Sequence, residues 1–339
     1  MNRRRITATL VFGVTLLFLI WRNGGRTEYV QNNGFIFGTS YSMSYEVPVG
    51  SGYGDELHQH LLDVVDNSLS TFNKNSVISK INNNQEHKTD EAFEKVFVRA
   101  LELSEATGGA FDMTVAPLVN TWGFGYKNQD EILPTDAEID SLKQFVGYEK
   151  VELANHKIIK QYPEIKLDAS AIAKGYSVDV AAEFLEDKGV ESYMVEIGGE
   201  IRVKGFNSQG KKWRLGIDKP METFSLASRQ LDTIIHVSDM ALATSGNYRQ
   251  FYYKDGKRYS HTIDPISGYP VNHSLLSATV LAPDCMTADA LATAFMVMGA
   301  EKSMKLAESL QGVEIYLIVD DGGENKEVFT SGFEKYLNP

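Results

Sequence analysis

The apolar run Ile165–Leu167 ends in an acid, Asp168, and Ala169-Ser170-Ala171 then turns the chain. Lys174-Gly175 opens an amphipathic helix, and a second apolar run, Tyr193–Ile197, ends in Gly198-Gly199. This order gathers a carboxylate, free backbone N–H groups and a lysine. Helix N-termini leave N–H donors unpaired and carry partial positive charge, so the arrangement suits a phosphate-bearing ligand. Taken singly, the parts stay open. Asp168 reads equally as a plain N-cap, and Lys174 as a solvated helix lysine.

Asp289 and Thr293 sit four residues apart in TADALATAFMVMG, on one side of one helix. Their neighbours are Ala, Leu, Phe, Met and Val, and a carboxylate there is costly unless it is paired or binds a cation. Carboxylate and hydroxyl together offer two oxygen ligands suited to Mg²⁺. Alternatively, Asp289 caps the helix and Thr293 bonds its own backbone. His261 lies beside the turn residues Asp264-Pro265 and Ser267-Gly268. It is a general base, a phosphate contact or a hydrogen-bonded structural histidine. Phe111-Asp112 follows Gly108-Gly109, where an aromatic can pack a flat ring and an acid can bind sugar hydroxyls. They read equally as core and cap. The small-residue loop Ala243-Thr244-Ser245-Gly246-Asn247 can approach a ligand closely or simply turn.

These residues need a scaffold, and the chain has the means. It has 339 residues, 43% hydrophobic and 23% charged, enough for one or two domains with a large core. Helical spacing marks 55–72, 93–101, 136–146 and 287–299, and alternation or apolar runs mark strands at 35–47, 151–159, 165–167, 193–197, 201–204, 213–217, 233–237, 277–281 and 314–319. Asp255-Gly256 between two aromatic strands signals a hairpin. The expected class is α+β: mixed, largely antiparallel sheets with packed helices rather than strict βαβ alternation.

Net charge is −12, which argues against a general nucleic-acid binder. The single cysteine, Cys285, excludes an internal disulfide and a thiolate metal site. Arg3-Arg4-Arg5 precede an apolar segment from Ile6 to Trp21, with no small-residue cleavage site after it. Residues 1–22 therefore read as a signal anchor, one N-terminal membrane-anchor helix with its arginines on the cytoplasmic side, although cleavage is a second reading. Residues 23–34 are polar and read as a linker to a domain over 35–339.

In combination the motifs are more specific. FGTSYSMSY (37–45), STFNKNSVISKIN (70–82), TGGAFDMTVAPLVNTWGFG (107–125) and LDASAIAKGYSVD (167–179) resemble the FAD:protein FMN transferases, the ApbE-like flavin transferases. So do VEIGGEIRVKG (195–205), ATSGNYRQFY (243–252), HTIDPISGYPV (261–271) and TADALATAFMVMG (287–299), all in the family's order. The resemblance implies an ApbE-like fold and an exported bacterial enzyme of the inner membrane, facing the periplasm. It implies transfer of FMN from FAD to a Thr or Ser hydroxyl through a phosphoester, with release of AMP. The implied acceptor is a flavin-carrying subunit of a membrane redox complex.

Position by position, the resemblance gives Asp289, Thr293 and a backbone oxygen of Ala171 to Mg²⁺. It gives Met43, Phe72, Ala110, Phe111, Asp112, Asp168, Lys174 and Ile263 to FAD, and makes His261 the base near the acceptor hydroxyl. Two departures stand out: Phe72 replaces a frequent aromatic hydroxyl, and the turn after Asp168 lacks the commoner glycine. Other readings are an FAD pyrophosphatase yielding FMN and AMP, and an FAD-binding protein without turnover.

Overall fold

The computed structural model describes residues 26–124, 133–220, 230–247, 251–254 and 256–338. The proposed anchor over 1–22 lies outside the described residues. Among the described residues no helix is long and apolar enough to cross a membrane.

Eight antiparallel strands form the central sheet, and their spatial order is their chain order. They are β1 (Thr27–Ile36), β2 (Thr39–Pro48), β3 (Tyr193–Ile197), β4 (Glu200–Lys204), β5 (Met240–Gly246), β6 (Leu275–Ala282), β7 (Glu314–Asp321) and β8 (Glu324–Phe329). Residues 27–34, expected as a linker, instead form most of β1. A polar edge strand with an exposed face shows little hydrophobic alternation, so its composition imitates a linker. The strand expected over 35–47 is broken by a tight turn at Phe37-Gly38. Both residues have positive φ, 51° and 76°, as a two-residue hairpin turn of this hand requires. The stretch 151–159 likewise divides, into Val151–Ala154 and Lys157–Lys160, and 165–167 is irregular rather than a strand.

Three helices matter for the site: α1 (Glu91–Ala106), α2 (Ala173–Asp187) and α3 (Cys285–Met298). Asp90 caps α1 by accepting the Phe93 N–H at 2.8 Å. Asp284 caps α3 by accepting the Thr287 N–H at 2.8 Å. Eleven of the fourteen α3 residues are buried, so this helix is apolar on nearly every side and belongs inside the core. α2 and α3 cover one face of the sheet, packing against each other and against β3 to β6. The opposite face is covered by a hairpin, Trp213–Asp218 paired with Leu231–Val237, and by Phe333 near the C-terminus. A third, smaller cluster of Leu118, Trp122, Ile139, Val146 and Ile263 supports the loops beyond the sheet.

Candidate active site

α2 begins where the chain is clamped. The side chain of Asn82 brackets Leu167: its Oδ1 accepts the Leu167 N–H at 2.7 Å and its Nδ2 donates to the Leu167 carbonyl at 2.8 Å. The next amide, of Asp168, donates to the Met113 carbonyl at 2.7 Å. Asp168 Oδ1 accepts the Ser170 N–H at 2.8 Å, so the acid stabilises a local turn ahead of the helix instead of capping it. Such anchoring lets a short irregular segment hold a fixed shape beside a cavity.

α2 and α3 cross at very close range. A Cβ on Gly175 would overlap the Cys285 carbonyl oxygen and stand 2.8 Å from Asp289 Cβ, so only glycine fits the crossing. At that contact the Gly175 N–H donates to Asp289 Oδ2 at 2.9 Å. Asp284 takes the capping role, so Asp289 is free of it. Four residues along α2, Asp179 returns the interaction by accepting the Cys285 and Met286 N–H groups at 3.0 and 2.8 Å. Arg202 of β4 pairs with Asp179 at 2.8 Å. Burial pushes the Asp179 carboxyl up to about 6, although these three donors oppose the shift.

One cavity of about 470 Å³ opens over this crossing. Its walls bring together Ala110, Phe111, Asp112, Asp168, Ala171, Lys174, His261, Ile263, Asp289 and Thr293. Met43 and Phe72 are not among them. Met43 is 1% exposed and lies in β2 between Asn32 and Val195 of the flanking strands; Phe72 stands on the surface, 82% exposed. The cavity also takes in residues that the sequence did not single out, including Val115, Val119, Phe124, Thr262 and Glu200.

Glu200 is the chief of these. It is 4% exposed, and its Oε1 lies 2.6 Å from Lys174 Nζ, which in turn lies 3.5 Å from Asp289 Oδ1. Burial works against the lysine's charge, but Asp289 and Glu200 outweigh it and hold the ammonium above its usual pKa. Burial drives Glu200 the other way, well above the ordinary carboxylate range, with Lys174 opposing. An acid directly after a Gly-Gly turn was the available sequence signal; its partner, 26 positions earlier, was not.

Asp112 and His261 also stand in the walls. Asp112 is occupied by the protein: Oδ1 accepts the Thr114 N–H and hydroxyl at 2.7 and 2.6 Å, and Oδ2 accepts the Tyr148 N–H at 2.8 Å. Burial still raises its pKa. Its structure-holding reading thus stands beside any ligand contact. His261 lines the same cavity beside Phe124, ring centroids 6.4 Å apart and edge to face. Nearby, Trp122 steadies the turn after Pro265 by donating Nε1–H to the Gly268 carbonyl at 2.8 Å.

Asp289, Thr293 and Ala171 line the same cavity and offer carboxylate, hydroxyl and backbone oxygen. Thr293 Oγ1 is also 3.2 Å from Ser245 Oγ. This hard-oxygen set fits Mg²⁺, which takes few protein ligands and completes its shell with water and phosphate oxygens. Among the described residues no group of three His, Cys, Asp or Glu side chains forms a richer metal cluster.

Comparison with known proteins gives the family. Residues 37–317 match the sequence model of the ApbE family. The FAD:protein FMN transferase of Vibrio cholerae is 41% identical over 320 residues, covering 92% of this chain and 93% of the relative. That of Haemophilus influenzae is 38% identical over 323 residues, covering 91% and 92%. Among solved structures, the flavin transferase ApbE from Vibrio cholerae superposes with a TM-score of 0.82 at 40% identity, covering 92% of this chain and all of that one. The apo flavinyl transferase ApbE of Pseudomonas stutzeri gives 0.82 at 30% identity, covering 92% and 98%. The chain belongs to the ApbE family and is a transferase.

Proposed function

We propose that this enzyme is an Mg²⁺-dependent FAD:protein FMN transferase that joins FMN to a Thr or Ser hydroxyl of an acceptor protein and releases AMP. The observation that carries it is the joining of Asp289, Thr293, Lys174 and Asp168 around one cavity with an aromatic, glycine-flanked wall at Ala110-Phe111. Phosphoryl transfer asks a protein mainly for positioning and charge neutralisation. Mg²⁺, held by Asp289, Thr293 and the Ala171 backbone, would supply neutralisation of the pyrophosphate charge when bound.

The chain's own groups do the rest. Lys174 meets the pyrophosphate with a permanent charge. Phe111 and Ile263 give the isoalloxazine apolar contact, and Asp168 orients the dinucleotide. The acceptor oxygen forms a bond to the FMN phosphorus while the bond to the AMP oxygen breaks. His261 takes the proton of the acceptor hydroxyl. Met43 and Phe72 belong to the same proposal only as contacts outside the cavity walls. The acceptor is a flavin-carrying subunit of a membrane redox complex. Residues 1–22 anchor the enzyme in the bacterial inner membrane with the catalytic domain on the periplasmic side, a reading that rests on Arg3-Arg4-Arg5 ahead of an apolar stretch.

Co-expression with a candidate acceptor and mass spectrometry test the reaction. The expected product is an acceptor carrying one FMN on Thr or Ser, absent with Asp289→Ala. Wild-type modification by the Ala variant would overturn the metal assignment. Rapid release of FMN and AMP without any acceptor would favour hydrolysis instead.

A further inference from the structure

Lys174 stands between two buried carboxylates, at 2.6 Å from Glu200 and 3.5 Å from Asp289. If Asp289 serves a divalent cation, ammonium and cation compete for one acid. With Glu200 absent, Asp289 would be the remaining carboxylate paired with this lysine among the described residues, and the ammonium would close onto it. A close, buried ion pair is hard to open, because parting it leaves an uncompensated charge. Glu200 is suited to prevent this. Its Oε1 faces the ammonium, and its buried Oε2 has no hydrogen-bond partner among the described residues.

We propose that Glu200 is a positioning residue that draws the Lys174 ammonium off Asp289 and so keeps that carboxylate open to the divalent cation. The inference rests on Asp289 being a cation ligand. Nothing in it requires Glu200 to touch cation or substrate.

The test is Mn²⁺ titration of the full chain, with no nucleotide present, read by electron paramagnetic resonance of the free ion. Wild type is compared with Glu200→Gln, Lys174→Met, the double variant and Asp289→Asn. Glu200→Gln should weaken Mn²⁺ binding about tenfold, an ordinary size for coupled neighbours. In the Lys174→Met background the same change should have no effect, since there is no ammonium left to position. An equal loss in both backgrounds would mean that Glu200 acts by its field or by packing, and would overturn the inference. So would wild-type affinity in Glu200→Gln. Should Glu200→Gln fail to fold, Glu200→Asp takes its place; its shorter side chain should lose affinity only when Lys174 is present, and a loss in both backgrounds overturns the inference again. Wild-type affinity in Asp289→Asn would instead remove the cation assignment on which the inference stands.

Discussion

Gly175 donates its backbone N–H to Asp289 Oδ2 at 2.9 Å, across a helix crossing too close for any side chain on the glycine. The contact fixes one oxygen of the acid and leaves the other facing Lys174 and the cavity. Gly175→Ala should therefore damage stability and chemistry together. Its Cβ meets backbone, the Cys285 carbonyl, which cannot swing aside as a side-chain tip could. Overpacking of this kind costs on the order of 1–3 kcal/mol. Urea unfolding should show that loss, and FMN transfer should fall further than the lost folded fraction explains. A variant as stable and as active as wild type would contradict the crossing.

The surface position of Phe72 separates binding from folding. At 82% exposure it contributes little to the core. Phe72→Ala should change unfolding free energy by no more than about 0.5 kcal/mol. If the aromatic meets the flavin, as the family resemblance implies, KM for FAD rises while kcat holds. An unchanged KM would remove Phe72 from the binding surface.

What could be read beforehand was what lies within one element. Asp289 and Thr293 were legible because four residues is one helical turn, and an acid amid Ala, Leu and Phe demands a partner. The identity of that partner was not legible. Gly175 is 114 positions away in sequence, and the meeting depends on how two helices cross. Glu200 and Asp179 were passed over for the same reason: each is an ordinary acid until the fold buries it beside Lys174 or under the start of α3. Hairpins were missed where their turns lack the usual residues. Phe37-Gly38 and Asn155-His156 both carry positive φ, yet Phe and His seldom advertise it.

His261 lines the cavity beside Phe124, and in the proposed reaction it takes the acceptor proton while Asp289 serves charge neutralisation. His261→Asn should lower kcat for transfer by about 10²–10⁴-fold, the usual range for a lost proton acceptor. FAD affinity should stay near wild type, because the dinucleotide is held by other walls. Rates at high pH should recover part of the loss as the acceptor hydroxyl ionises more readily. Full activity in the variant would assign the proton to another group.

Asp179 predicts a pH dependence whose sign differs from that of most acids. Burial raises its carboxyl from 3.8 to about 6 in the folded chain. Between those values the unfolded chain has lost the proton and the native chain keeps it. Unfolding then releases a proton, so this residue's contribution to stability falls as pH rises from about 4 to 6 and levels off above. At about 1.4 kcal/mol per pH unit the fall is on the order of 3 kcal/mol. Asp179→Asn removes the titration while also weakening the hold on the Cys285 and Met286 amides. Urea unfolding of both proteins at pH 4, 5, 6 and 7 isolates the effect, because carboxyls held low by hydrogen bonds, such as Glu94 and Glu138, contribute equally to each. The stability advantage of wild type over Asp179→Asn should shrink across the window. A constant advantage would mean that Arg202 and the two amides keep the acid ionised throughout.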